Sequence, residues 1–126
     1  MARKASPTLT DAELRIMNVL WRLGRATVAD VHRALAKHEL AYTTVLTTIQ
    51  VLETKGYVAH EAQGRAYVYR PVVQKQPVRR KAMRHFVSRW FGGSHNDLLL
   101  NVIEEQDLTP DEVSALMKVL RKKGKP

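Results

Sequence analysis

The strongest constraint on this chain is a change of period at Gly56. Before that glycine, apolar residues recur every three or four positions, the spacing of helices. After it they alternate, the spacing of strands. The segment "TDAELRIMNVLWRLG" opens with Thr10 and Glu13 at capping-box spacing, closes at Gly24, and carries Leu14, Met17, Leu20 and Trp21 as an apolar stripe. In "TVADVHRALAKH", Thr27 is the cap of a shorter helix that turns Val28, Val31 and Leu35 inward. A third helix runs through "LAYTTVLTTIQVLETKGYV". Beyond Gly56, "YVAHEA" and "AYVYRPV" are β-rich and joined by the tight link "QGR". Three helices followed by a hairpin is the order of a winged helix-turn-helix. Helices two and three make the helix-turn-helix, and the hairpin is the wing.

The third helix has an unusual surface. At about 100° per residue, Val45, Ile49 and Leu52 fall on one face, with Tyr42 and Leu46 on its margin. Thr43, Thr47, Gln50 and Thr54 fall on the opposite face, with Thr44 and Val51 beside them. Threonine is a mediocre helix former, and this face lacks the usual Glu and Lys. Thr and Gln side chains hydrogen-bond base edges, a threonine methyl can lie against the thymine methyl, and the absence of acid avoids repelling phosphates. Thr43, Thr44, Thr47, Gln50 and Thr54 are therefore the candidate DNA-reading residues, with Lys55 and the wing-tip Arg65 as candidate backbone contacts. Tyr67 is expected to pack the wing against the third helix.

Charge supports a polyanionic partner. The formal net charge is +9, and it is unevenly spread: residues 1–73 hold ten Lys/Arg against six Asp/Glu, residues 74–91 six bases and no acid, and residues 92–126 five bases and six acids. A positive field over the first two-thirds fits double-stranded DNA or an acidic membrane surface. Arg3 and Lys4 lie in a basic tail, residues 1–8. Lys75, Arg79 and Arg80 lie just beyond the wing and remain open between backbone contact and solvation, whereas Lys81, Arg84 and Arg89 read as a solvated face. No apolar run approaches the roughly 20 residues of a membrane span, the N-terminus lacks the apolar core of a secretion signal, and there are no cysteines. The expected location is the cytoplasm, without stable membrane association. The five histidines show no metal-ligand spacing. No catalytic constellation or cofactor motif is legible, so the expectation is a non-enzyme without cofactor or metal. The rival reading is a winged-helix protein- or membrane-interaction module that does not recognise DNA sequence.

From Gln74 the pattern is helical again. "QPVRRKAMRHFVSRWFGGS" has a first-turn Pro77 and a stop at Gly92 and Gly93, "SHNDLLLNVIEEQ" has Ser94 as cap, and "TPDEVSALMKVLRKK" has Thr109 as cap with Pro110 at the first helical position. The apolar residues of these helices exceed any core they could form alone, so a second copy of the chain is their expected cover. Met83, Phe86, Val87, Trp90, Leu99, Val102, Ile103, Leu116 and Leu120 are the candidate dimerisation residues. The fold class expected is mainly α with a small β-hairpin wing: a winged helix-turn-helix domain, residues 1–73, followed by a helical dimerisation region, residues 74–126.

At "LTDAELRIMNVLW", "LAYTTVLTTIQVLETKGYV", "GRAYVYRPVV" and "WFGGS" the chain resembles the penicillinase-repressor family, the BlaI/MecI group of bacterial transcriptional repressors. The resemblance implies a homodimer on a palindromic promoter operator with TACA/TGTA-type half-sites, repression of a β-lactamase or stress-response operon, and a link to a membrane sensor metalloprotease whose action ends in repressor cleavage. Well-studied members are cut at an Asn-Phe bond in the first helix after the glycines. The matching bond here is Asn101–Val102, which keeps the asparagine and replaces the phenylalanine. Val51 stands where many relatives carry a basic residue. The family's copper-responsive branch uses a cysteine motif that this chain lacks.

Overall fold

The computed structural model describes residues 8–124. Arg3 and Lys4, read above as a basic tail, lie outside the described residues. Helix α1 spans Asp11–Leu23. Its capping box is reciprocal: the Thr10 hydroxyl accepts the Glu13 N–H at 3.2 Å, and the Glu13 carboxylate accepts the Thr10 N–H at 2.8 Å. Gly24, at φ 82°, ends the helix in a conformation that a side chain would strain. Strand β1, Ala26–Thr27, leads into α2, Val28–Ala34, which Thr27 and Asp30 cap reciprocally at 3.1 Å each way. A 3-10 turn at Ala36–His38 then delivers the chain to α3, Tyr42–Thr54.

Strands β2, Val58–Gln63, and β3, Ala66–Pro71, form the hairpin, with Gln63 opposite Ala66 across a two-residue loop. Gly64 opens that loop at φ 61°, as such tight hairpin links require. The hairpin was expected; the third strand was not. Ala26 and Thr27 pair antiparallel with Tyr69 and Val68, giving a sheet of order β1-β3-β2. This ties the wing to the start of α2.

The core gathers Ile16, Met17 and Leu20 of α1, Val31 of α2, Leu35 just after it, Val45, Ile49 and Leu52 of α3, Val58 of β2 and Tyr69 of β3. Truncating one of these large aliphatic side chains to alanine costs about 2–5 kcal/mol. The buried face of α1 is rotated from the expected stripe: Ile16 and Val19 are buried with Met17 and Leu20, whereas Leu14 is exposed and Trp21 only half-buried. Two apolar rows run along α1. Leu14 and Trp21 line a groove with Val78 and Ala82 from further along the chain, and the Trp21 indole N–H donates to the Val73 carbonyl at 2.9 Å.

Helix α4, Lys75–Phe91, is followed by Gly92 and Gly93 at φ 57° and 87°, then α5, His95–Glu105, and α6, Pro110–Gly124. Ser94 caps α5 by accepting the Asp97 N–H, and Thr109 forms a capping box with Glu112. The described residues fall into two compact units divided between His85 and Phe86, within α4. In the second unit Val87 is the one fully buried apolar residue among those described. Trp90, Leu99, Val102, Ile103, Leu116 and Leu120 remain exposed, as does Met83 in the first unit. Val87 is already covered within its own chain. No helix among the described residues is long and apolar enough to cross a membrane.

Candidate nucleic-acid interface

Helix α3 sits on the core through Val45, Ile49 and Leu52, each without solvent exposure. At about 100° per residue, that anchoring turns Thr43, Thr44, Thr47, Gln50, Val51 and Thr54 outward, and all six are exposed. The threonines divide by what their hydroxyls do. Thr48 donates to the Thr44 carbonyl at 2.7 Å and Thr54 to the Gln50 carbonyl at 3.1 Å, the back-bonding that makes threonine tolerable inside a helix. The side chains of Thr43, Thr44, Thr47 and Gln50 have no hydrogen-bond partner among the described residues, so their donors and acceptors face outward. Thr54 offers only its acceptor capacity. The first turn of α3 has no acidic residue and no side-chain cap, which leaves its N–H groups open to an anion.

Lys55 is the clearest correction. It was expected on the DNA backbone, yet its ammonium lies 2.7 Å from Glu13, with 18% of the Lys55 side chain and 4% of the Glu13 side chain exposed. The pair joins the end of α3 to the start of α1. Burial acts to raise the Glu13 pKa, but the hydrogen bonds and charge of Lys55 and the hydrogen bonds from Thr10 outweigh it and hold the carboxyl below its ordinary value. Lys55 is therefore a fold-holding residue, occupied and turned inward.

Arg65 stands at the exposed hairpin tip, with no ion-pair partner among the described residues. It borders a cleft of about 290 Å³ with Tyr42 and Leu46 of α3, Thr27 and Tyr67. Tyr67 does not pack on α3 as expected. It is 54% exposed and stacks on His60 of β2, ring centroids 4.4 Å apart. His60 also meets Glu53 of α3, Nδ1 to Oε2, at 2.6 Å. Sequence reading missed this bridge; its only signal was an acid and a histidine flanking the α3–β2 turn. It also missed Tyr42, which stands half-exposed at the start of α3, its ring edge-on to His32 at 5.7 Å.

The surface so assembled is an uncharged, hydrogen-bonding helix face beside a wing with a cation at its tip. Such a face suits a duplex groove, with base edges under the helix and phosphate under the wing. Among the described residues no group of histidines and carboxylates could hold a metal ion.

Comparison with known proteins places the chain among bacterial repressors. The model of the penicillinase repressor family matches residues 9–122. The penicillinase repressor of Bacillus licheniformis is 29% identical, with 93% of this chain and 92% of that protein covered. The transcriptional regulator BlaI of Mycobacterium tuberculosis is 34% identical over 77% of this chain and 83% of its own. Among solved structures, the DNA-binding domain of the repressor BlaI matches with a TM-score of 0.51 at 31% identity, covering 58% of this chain and 90% of that one.

Proposed function

The chain belongs to the penicillinase repressor family of DNA-binding transcriptional repressors, and on that premise we propose that it acts as a homodimer on a palindromic operator in a promoter. Residues 1–73 form its DNA-binding domain and residues 74–126 its dimerisation region. It is a regulator, not an enzyme. Thr43, Thr44, Thr47 and Gln50 read base edges, Thr54 accepts at the far end of the helix, and Arg65 holds phosphate. Two-fold symmetry of the protein then matches two-fold symmetry of the operator. The regulated genes are a β-lactamase or stress-response operon, and the repressor works in the cytoplasm, where the promoter is.

The observation that carries this reading is the outer face of α3: exposed, free of acid before Glu53, and with unbonded donors and acceptors at Thr43, Thr44, Thr47 and Gln50. The exposed apolar side chains of α4, α5 and α6 support the second copy. Asn101 and Val102 are both exposed in the interior of α5. Cutting between them in response to a membrane sensor metalloprotease would split α5, detach α6 and dismantle the dimer. Backbone held in helical hydrogen bonds is a poor protease substrate, so that cut requires α5 to open first.

The direct test is the double substitution Thr47→Ala with Gln50→Ala, titrated against promoter and scrambled duplexes. Each good base contact discriminates by about 1–3 kcal/mol. The variant is expected to keep its affinity for scrambled DNA and to lose that much preference for the promoter. Undiminished preference would remove α3 from base reading.

A further inference from the structure

Glu53 is the only acidic residue in α3, and it lies three positions after Gln50, on an adjoining part of the helix surface. A bare carboxylate there would stand beside the phosphates of any duplex docked on α3. It is not bare. His60, on the core-facing side of β2, approaches it to 2.6 Å. The imidazole is held from the other side by the wing: its ring lies 4.4 Å from that of Tyr67, diagonally across the strands, and 5.4 Å from that of Tyr69, its direct cross-strand partner. Among the described residues, Glu53, Tyr67 and Tyr69 are the titratable groups that meet the ring. Glu61, next along β2, points to the opposite face and lies 3.9 Å from Arg70.

Resting on the DNA-binding function proposed above, we infer that His60 and Glu53 form a clasp that positions the wing against the recognition helix and cancels the acid's charge at the DNA-facing surface. The clasp links a helix and a strand otherwise joined by a short turn. The wing's angle to α3 sets where Arg65 meets the backbone. A charged imidazole grips Glu53 as an ion pair and brings the local charge to zero. A neutral one leaves a full negative charge near the phosphates and a weaker hydrogen bond. About a third of each side chain is exposed, so solvent protons reach the pair. Affinity for DNA is accordingly fullest with the imidazole charged and lower with it neutral.

The test is a set of anisotropy titrations against promoter duplex at constant ionic strength, from about pH 5.5 to pH 8, for wild type, His60→Gln and Glu53→Gln. Wild type is expected to bind about two- to fivefold more tightly at the acid end, the scale of a partly exposed ion pair. His60→Gln should show a flatter profile, and Glu53→Gln, which has lost the acid, should bind at the alkaline end at least as tightly as wild type. A histidine that merely packs would shift His60→Gln affinity equally at every pH and leave the slope intact, which would overturn the clasp. So would Glu53→Gln binding that is weaker throughout with the wild-type slope. If His60→Gln fails to fold, Glu53→Gln decides alone. Wild type that binds no duplex at any pH overturns the repressor reading itself and the clasp with it, whereas tight binding with unchanged slopes overturns only the clasp.

Discussion

A carboxylate with 4% of its side chain exposed has two duties in this fold. Glu13 closes the capping box of α1 with one oxygen and pairs with Lys55 through the other. Removing one partner of a buried pair leaves an uncompensated charge, so Lys55→Met is expected to cost about 3 kcal/mol, read as a shift in the urea unfolding midpoint. The folded protein should keep its DNA affinity and salt dependence. A stable Lys55→Met protein with a shallower salt dependence would restore Lys55 to the phosphate contacts. The pair also has a pH signature. Because the folded-state pKa of Glu13 lies below its ordinary value of 4.5, its stabilisation is fully present above that value and is lost as pH falls through the folded-state value. Thermal melts on acidification should show wild type losing stability relative to Glu13→Gln in that window. Parallel losses in both proteins would count against the pair as the source.

At the scale of elements, the proposed function gives α3 and the wing separable contributions to binding. Arg65→Ala should weaken binding to promoter and scrambled duplexes alike and reduce the slope of log affinity against log salt by about 1, the signature of one lost phosphate contact. A loss confined to the promoter would make Arg65 a base reader instead. The helices and their ends were legible in the sequence because caps and stops are local: Thr10, Gly24, Thr27, Ser94 and Thr109 act within four residues of themselves. The hairpin was legible through its alternation and its glycine. Strand β1 was not, since two residues carry no period and Ala26–Thr27 become a strand only by meeting Tyr69 and Val68 from far along the chain. The rotation of α1 escaped for a related reason. Its two apolar rows satisfy helical spacing equally well, and only the packed neighbours choose Ile16 and Val19 over Leu14. In the interface, the outward face of α3 could be read from its period, whereas the inward turn of Lys55 and the His60–Glu53 bridge depend on contacts between elements that sequence spacing does not encode.

For the whole molecule, the exposed apolar side chains of α5 and α6 are the outstanding feature. Large apolar side chains left exposed in such number mark an association surface. Leu116→Glu with Leu120→Glu is expected to leave the winged helix folded, to give monomers in sedimentation, and to weaken binding to a two-half-site promoter by about 10²-fold or more, because linked binding of two half-sites is lost. A dimer that survives both charges would place the association surface elsewhere. Sequence-specific repression is most directly tested by fluorescence anisotropy of the intact protein against its own promoter duplex and a scrambled duplex, each at two salt concentrations. Tight binding to the promoter, weaker binding to the scrambled duplex, and loss of both as salt rises is the predicted result. Equal affinity for the two duplexes, or none for either, would contradict it.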